Sequence, residues 1–219
     1  MAVNGPSRPA TRRRRGRPRP VWHPEIPEGP IAEATDGRGV DLTIPHGELV
    51  VVQGEHGSEL VRVLAGLVRP AEGTVRLHGA AATVFREPRL LPWRTVQDNV
   101  ALALLGTRFR AVRREKARRV LEQVGLDDRR AAWPSRLTPA EAARSALARA
   151  LVSSPELLLL DDPFAALAPP DRIALAWTVR RLWQRERPAV LAVTTDPAVA
   201  SALTGEESEN HPRGRRVVA

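Results

Sequence analysis

Short apolar runs that alternate with segments of helical periodicity constrain this fold more than any other feature of the sequence. Residues 49–52 form a continuously apolar, mostly β-branched run, typical of a strand buried on both faces of a sheet. A glycine-containing loop follows, and apolar residues then recur at helical spacing over 60–67. The runs 157–160 and 189–194 repeat this order of strand and helix. The pattern predicts an α/β fold, with a parallel sheet and helices on both of its faces.

The same pattern divides the chain into a body and two tails. Further strands are predicted at 40–44, 73–77 and 82–85, and helices at 95–105, 112–124, 138–153, 171–185 and 197–203. We expect one domain over 31–205, with a helical subdomain at about 95–150, because 219 residues suffice for a single core. Residues 1–30 are rich in Pro, Arg and Gly and are predicted to be disordered, and 206–219 to be frayed.

Positive charge is concentrated in the amino-terminal tail. Residues 1–24 hold seven arginines and no acid, whereas the rest of the chain holds 27 basic and 25 acidic side chains. The segment Arg15-Gly16-Arg17-Pro18 resembles an AT-hook, in which arginine enters the narrow minor groove of A·T-rich DNA. A solvated tail, a contact with anionic lipid and a start assigned too far upstream are simpler interpretations. We therefore do not expect nucleic acid to be a partner.

Composition excludes several kinds of site. The chain has no cysteine, which excludes disulfides, thiolate chemistry and cysteine-bound zinc. Its five histidines are scattered without the spacing of metal ligands. No apolar run reaches the roughly 18 residues of a membrane span, and the arginine-rich start lacks the apolar segment of a secretory signal. We expect a cytoplasmic protein.

Five stretches, taken in order, carry a family resemblance. They are GELVVVQG (47–54), VRVLAGLVRPAEGTVRLHG (61–79), VFREPRLLPWRTVQDNVAL (84–102), ALARALVSSPELLLLDDPFAAL (146–167) and LAVTTD (191–196). Together they resemble the ATP-binding subunits of ABC transporters, and among these the nitrate/sulfonate/taurine importer class. The resemblance covers about residues 40–203. It implies a P-loop NTPase-type parallel sheet with an inserted helical subdomain.

The resemblance places a phosphate-binding loop between the strand at 49–52 and the next helix. Such a loop requires G-x-x-x-x-G-K-[ST], because backbone N–H groups cradle the phosphates and the lysine reaches them. The corresponding positions here are Gly54, Glu55, His56, Gly57 and Ser58. The loop is therefore about three residues short, and the only lysine of the chain, Lys116, lies in the helical subdomain. Arg62 is interpreted as helix surface, and Glu59 adds negative charge that repels a polyphosphate.

Two acids follow the strand at 157–160. The resemblance implies that Asp161 holds Mg²⁺ through water, and that the next position carries the glutamate that polarises the attacking water. Asp162 at that position is one methylene shorter than glutamate. A displacement of about 1 Å can cost on the order of 100-fold in rate. We expect Asp162 to be a degraded catalytic residue.

The segment 137–141 stands where the family has L-S-G-G-Q, which contacts the ATP held by the opposite subunit of a dimer. A hydroxyl survives at Thr138, whereas Pro139 lacks an N–H donor and Glu141 brings an acid. Thr138 at the N-cap and Glu141 three residues later predict a capping box. We interpret this segment as a helix cap that makes a poor nucleotide contact.

Three further positions of the family's nucleotide site are substituted. Arg86 replaces the Q-loop glutamine, Ala168 the D-loop aspartate and Thr195 the switch histidine. No aromatic residue is placed to stack on adenine, since Trp22 lies too far into the tail. The stretch 87–100 is retained, and in the family it neighbours the surface that receives the permease. Packing within the helical subdomain explains its retention equally well.

These residues and the resemblance predict an ATP-binding subunit of an ABC importer for a small anion such as nitrate, an aliphatic sulfonate or taurine, with weakened or lost ATP hydrolysis. The implied cofactors are ATP and Mg²⁺. The implied partners are a transmembrane permease, a second ATP-binding subunit of the same or another kind, and a solute-binding protein. The family works at the inner face of the plasma membrane. A non-enzymatic relic or regulatory scaffold, and a DNA-associated protein acting through its tail, stay open as alternatives.

Overall fold

The computed structural model describes residues 30–36, 41–54, 57–70, 73–205 and 215–218. The predictions made for the tail 1–29, for Glu55 and for His56 lie outside these residues. The strands are β1 (Ala32–Asp36), β2 (Asp41–Ile44), β3 (Leu49–Gln53), β4 (Gly73–Leu77), β5 (Ala81–Phe85), β6 (Leu157–Asp161), β7 (Ala189–Thr194) and β8 (Arg215–Val218). The α-helices are α1 (Gly57–Leu64), α2 (Val96–Ala101), α3 (Arg110–Gln123), α4 (Pro139–Leu151), α5 (Pro169–Glu186) and α6 (Pro197–Thr204).

A parallel sheet in the order β5-β6-β7-β3-β8 forms the centre of the described chain. Nearly every residue of β3, β6 and β7 is buried, as their apolar sequences predict. In the register, Gln53 lies opposite Thr194, and Asp161 lies between Phe85 and Val193. The strands β3, β5, β6 and β7 therefore end side by side, and the loops that follow them share one edge of the sheet.

Strand β8 lies within the segment 206–219, for which the sequence predicts a frayed tail. Residues Arg215–Val218 pair in parallel with β3. The prediction therefore does not hold for these residues. The side of β3 away from β7 offers unpaired backbone N–H and C=O groups that another strand satisfies, and the β-branched pair Val217-Val218 suits a strand.

A second sheet is antiparallel, in the order β2-β1-β4. Its central strand, β1, is not predicted from the sequence. Ala32 and Ala34 are buried and Glu33 between them is half-buried, so the strand has the expected period of two. Alanine is a weak strand former, which is why the pattern does not stand out in the sequence.

Alternate residues of the central strands face two separate cores. Val50, Val52 and Leu159 pack with α1 and with the antiparallel sheet. Leu49, Val51 and Leu160 pack on the other face, with α2 to α6. The predicted α/β fold with helices on both faces of a parallel sheet is confirmed.

The helices α2, α3 and α4 pack on one another beside the sheet, where the sequence predicts a helical subdomain. Thr95 caps α2 by accepting a hydrogen bond from the N–H of Asp98, and Gly125 at φ +71° follows the end of α3. Among the described residues, none of the helices combines the length and the apolarity that crossing a bilayer requires.

Candidate functional site

The residues singled out from the sequence gather mainly at the edge where the parallel strands end. Gly54 follows β3, Arg86 follows β5, Asp162 follows β6 and Thr195 follows β7. The parallel register places these strand ends next to one another. Ligands of α/β proteins bind in crevices at this edge of the sheet, so it is the candidate site.

The loop between β3 and α1 is short and lies against the sheet at both of its ends. Gly54, at φ +148°, donates its N–H to the carbonyl oxygen of Thr194 at 3.3 Å. Gly57, which opens α1, is so close to the sheet that a Cβ there would lie 2.6 Å from Cγ1 of Val193. Two residues separate the two glycines, whereas the phosphate-binding motif has four.

The first turn of α1 carries little that would attract a phosphate. Ser58 is half-buried, and Glu59 and Arg62 are exposed. The lysine of the chain, Lys116, is an exposed residue of α3. The helix start therefore offers one hydroxyl and one acid in place of the lysine and hydroxyl of a phosphate-binding loop.

An ion pair joins the ends of β5 and β6. Nη2 of Arg86 donates to Oδ2 of Asp162 at 3.1 Å, and the side chain of Asp162 is only 4% exposed. Burial raises the pKa of Asp162 above its ordinary value, and the charge and hydrogen bond of Arg86 offset part of that rise. Asp162 also has a φ of +43° and precedes Pro163, a backbone conformation that is uncommon for a residue with a side chain. Its carboxylate is thus buried and bonded to Arg86.

Asp161, the family's metal position, is the last residue of β6 and is half-buried. Its charge acts on the neighbouring Asp162 and contributes to raising the pKa of that residue. The two acids are consequently adjacent, but Arg86 is bonded to one of them.

Arg172 of α5 joins the segment after β6 to the segment after β7. It donates to the carbonyl oxygen of Leu167 at 2.7 Å and to Oδ2 of Asp196 at 3.1 Å. Asp196 caps α6 by accepting from the N–H of Ala198. Burial alone would raise the pKa of Asp196, but the bonds from Arg172 and from backbone N–H groups lower it below its ordinary value. The sequence gives no signal for this link, which lies beside the substituted positions Ala168 and Thr195.

The segment at the start of α4 is a structural cap, as interpreted from the sequence. Thr138 Oγ1 accepts from the N–H of Glu141 at 3.2 Å, and Glu141 Oε2 accepts from the N–H of Thr138 at 2.8 Å. Oε1 of Glu141 also accepts from Nε of Arg129 at 2.8 Å. The N–H of Thr138 and then Arg129 lower the pKa of Glu141. Both carboxylate oxygens of Glu141 are thus engaged within the chain, and the predicted capping box is confirmed.

The loop 86–95 after β5 is the most heavily bonded segment of this edge. Buried Asn99 accepts from the N–H of Leu91 and donates to the carbonyl oxygens of Leu91, Arg94 and Thr95. Arg149 of α4 donates to two further carbonyl oxygens of the loop, those of Pro88 and Arg89, each at 2.7 Å. The sequence marks this stretch as retained but gives no indication of which side chains hold it.

The described residues do not fit a complex of Mg²⁺ with a nucleotide. Proteins hold Mg²⁺ with one or two carboxylates together with the phosphates of the substrate. Here Asp162 gives an oxygen to Arg86, and the loop that would hold the phosphates is short and has no lysine. No group of three His, Cys, Asp or Glu side chains within the described part of the chain is arranged to hold a metal ion.

Sequence comparison decides the family of this chain. The family model described as ABC transporter matches residues 38–165, more than half of the chain. The chain belongs to the ABC transporter family. The resemblance to the ATP-binding subunits of this family, in the nitrate/sulfonate/taurine importer class, is thereby confirmed.

Curated relatives of this ABC protein are named as aliphatic sulfonates import ATP-binding proteins. The protein SsuB 2 of Frankia alni is 51% identical over 72% of this chain and 63% of its own length. SsuB 1 of Pseudomonas fluorescens is 50% identical over 72% of this chain and 61% of its own length. This ABC chain therefore spans less than two thirds of the length of these two relatives.

Solved ABC structures share the fold. A dimeric ATP-binding cassette in a post-hydrolysis state, bound to ADP and Pi, gives a TM-score of 0.68 at 24% identity, over 78% of this chain and 90% of that chain. An inward-facing ABC transporter of the metal-chelate type gives a TM-score of 0.72 at 19% identity, over 80% of this chain and 77% of that chain. The likeness establishes the ABC fold, and the site must be judged from the residues of this chain.

Proposed function

We propose that this chain is the ATP-binding-type subunit of an ABC importer for a small anion, and that it has lost ATP hydrolysis. The names of the curated relatives support an aliphatic sulfonate as the transported anion, ahead of nitrate and taurine. The ion pair between Arg86 and Asp162 is the observation that carries the loss of hydrolysis. The residue at the catalytic position is buried and bonded to a guanidinium, so it does not reach a water molecule as a general base must.

The retained role is the docking of a membrane permease. Trp93 stands in the braced loop 86–95 and is 68% exposed, although tryptophan is an expensive residue to leave in water. Other large apolar side chains nearby in the sequence are also exposed, namely Leu105, Phe109 and Val112. Exposed aromatic side chains on a rigid support are typical of the centre of a protein interface. This placement supports a permease as the partner.

The remaining partners follow from the family. We propose that the chain pairs with a second ATP-binding subunit that has intact motifs, so that the dimer has one weak and one competent site. The complex would lie at the inner face of the plasma membrane and receive its anion from a solute-binding protein. The bonded cap at Glu141 supports the weak site, because the segment that would contact the opposite ATP is committed to α4.

Co-purification tests the docking role. The full chain is co-expressed with the permease of an aliphatic sulfonate importer from the same organism, and association is measured in detergent for wild type, Trp93→Ala and Trp177→Ala. Trp177 of α5 is a matched control, since it is an exposed tryptophan outside the loop 86–95. We expect Trp93→Ala to lose association at least about tenfold, as at an interface hot spot, and Trp177→Ala to keep it. A wild-type chain that does not bind the permease overturns the proposal.

Hydrolysis and substrate are tested separately. The purified chain is expected to release no phosphate from Mg-ATP above the level of a boiled control, and turnover near the 1–10³ s⁻¹ typical of enzymes contradicts the proposal. A strain that lacks the gene is expected to lose growth on an aliphatic sulfonate as sole sulfur source while keeping growth on sulfate. Loss of growth on nitrate as sole nitrogen source instead would assign the other anion.

A further inference from the structure

The pair Arg86 and Asp162 lies directly beside Asp161, the residue at which the family resemblance places a metal ion. Their positions follow directly from the sheet, because Phe85 and Asp161 are opposite each other at the ends of β5 and β6. Arg86 and Asp162 are the next residues on the two neighbouring strands. The side chain of Arg86 is 59% exposed and that of Asp162 is 4% exposed, so the bond joins an exposed cation to a buried acid.

Charged groups of the chain itself surround Asp162. The charged groups that act on it are Arg86, Asp161 and Arg172. Arg172 is shared, since it also bonds to Asp196. Arg86 is therefore the cation bonded to Asp162, beside Asp161, where the resemblance implies that a divalent ion would otherwise supply positive charge. Such an ion would lie beside a guanidinium of the same sign and would first have to displace it.

We propose that the Arg86 guanidinium is a built-in substitute for Mg²⁺, which neutralises Asp162 and leaves this edge of the sheet without a divalent-cation site. The proposal deepens the proposed function and rests on it, because it explains at the same site why hydrolysis is lost. It also differs from a simple loss of the metal. An acid and a compensating positive charge are both present, and the positive charge comes from Arg86.

The replacement of Mg²⁺ by Arg86 has a consequence for the loop 86–95, which presents Trp93. Arg86 is the first residue of the loop 86–95, and Asn99 and Arg149 fix the rest of that loop to α2 and α4. The ion pair therefore ties the loop that presents Trp93 to the end of β6 by a bond that needs no ligand. Asp162 makes this bond from a backbone conformation, at φ +43°, that is uncommon for a residue with a side chain. The position of the loop 86–95 is thus independent of Mg²⁺.

Thermal unfolding of the full chain tests the substitution, with millimolar MgCl₂ compared with NaCl at matched ionic strength. Wild type is expected to show no shift in Tm that is specific to Mg²⁺. Arg86→Gln is expected to unfold at a lower temperature, because a buried carboxylate loses its partner, and Mg²⁺ is expected to restore part of the loss. Arg86→Lys keeps the charge and should stay insensitive to Mg²⁺. The double variant Arg86→Gln with Asp162→Asn, which lacks both charges, should be insensitive as well.

A direct titration keeps the proposal falsifiable if Arg86→Gln does not fold. Mn²⁺, which has a similar preference for oxygen ligands, is titrated into wild type and Arg86→Lys, and the free ion is measured by electron paramagnetic resonance. No binding that depends on Asp161 or Asp162 is expected in either protein. Wild-type binding that Asp161→Asn or Asp162→Asn abolishes overturns the proposal, as does an Arg86→Gln variant that folds and is no more sensitive to Mg²⁺ than wild type. Neither result depends on the permease, so a failure here is separate from a failure of the docking role.

Discussion

The loops after β5 and after β3 lie at the same edge of one sheet, but they are built differently. The loop 86–95 is held by six hydrogen bonds from the side chains of Asn99 and Arg149. The connection after β3 has two residues between Gly54 and Gly57, and both glycines lie close to the sheet. The chain therefore retains side chains that fix the loop 86–95, namely Asn99 and Arg149, but lacks the lysine that would bind phosphate after β3.

The largest loss in the free energy of unfolding is expected on substitution of Asn99, which is completely buried. Asn99→Leu keeps the approximate volume but leaves the N–H of Leu91 and the carbonyl oxygen of Arg94 without their partner, whereas the carbonyl oxygens of Leu91 and Thr95 keep bonds from backbone N–H groups. Each buried group left unsatisfied costs about 1–3 kcal/mol, so we expect a loss of roughly 3 kcal/mol or more. The free energy of unfolding from urea titrations, at unchanged m, measures it.

Arg94→Ala is the control for this variant. The backbone carbonyl of Arg94 accepts from Asn99, but its side chain is exposed, so the change should stay within about 0.5 kcal/mol. If Asn99→Leu costs less than about 1 kcal/mol, the side-chain bonds are not what stabilises the loop. The contrast between the two loops would then be one of length alone.

A smaller effect is expected at Gly57, in the other loop. A Cβ at Gly57 would lie 2.6 and 2.9 Å from the two γ-methyl carbons of Val193 and 3.2 Å from Cγ1 of Val52. Overpacking of this kind typically costs about 1–3 kcal/mol, and we expect Gly57→Ala to fall in that range by urea titration. Gly106→Ala is the matched control, because nothing lies within 4 Å of a Cβ there.

Equal costs at the two glycines would contradict the close approach of α1 to the sheet. A large cost at Gly57 alone would show that the start of α1 is fixed by packing. Restoring a phosphate-binding loop would then require α1 to move away from Val193, and not merely the insertion of a lysine. The loop after β3 would then differ from the loop 86–95 in its packing against the sheet as well as in its side chains.

The contrast also shows how far the sequence reaches. Strands β3, β6 and β7 are predicted because continuous apolar runs report burial directly, and the capping box because its residues are three apart in the chain. The ion pair between Arg86 and Asp162 is not predicted, because it depends on the register of two strands that are 76 residues apart. Strand β1 is missed because small alanines carry its alternation. Contacts between segments that are distant in the sequence can be inferred only once the order and register of the strands are known.

The smallest change in the free energy of unfolding is expected at Glu141. This residue stands where the family contacts a nucleotide, and here it forms part of the cap of α4. Glu141→Gln retains the capping geometry, since glutamine also serves in a capping box, but it removes the charge and the oxygen that accepts from Arg129. At a helix N-terminus such a charge contributes about 0.3–1 kcal/mol. The folded-state pKa of Glu141 is lowered, so this stability is present above the ordinary glutamate pKa, about 4.3. It is lost as the pH falls through the folded-state pKa.

Unfolding free energies of wild type and Glu141→Gln should therefore differ at pH 7 and converge at low pH. Glu87→Gln, at an exposed acid of the loop 86–95, serves as the control and should follow wild type at every pH. A difference that persists at low pH would mean that the variant disturbs the cap itself and not only its charge. A difference that is absent at pH 7 would mean that Glu141 is not held for stability. The start of α4 would then resemble the loop after β3, which lacks phosphate ligands, and not the loop 86–95, whose side-chain bonds contribute to stability.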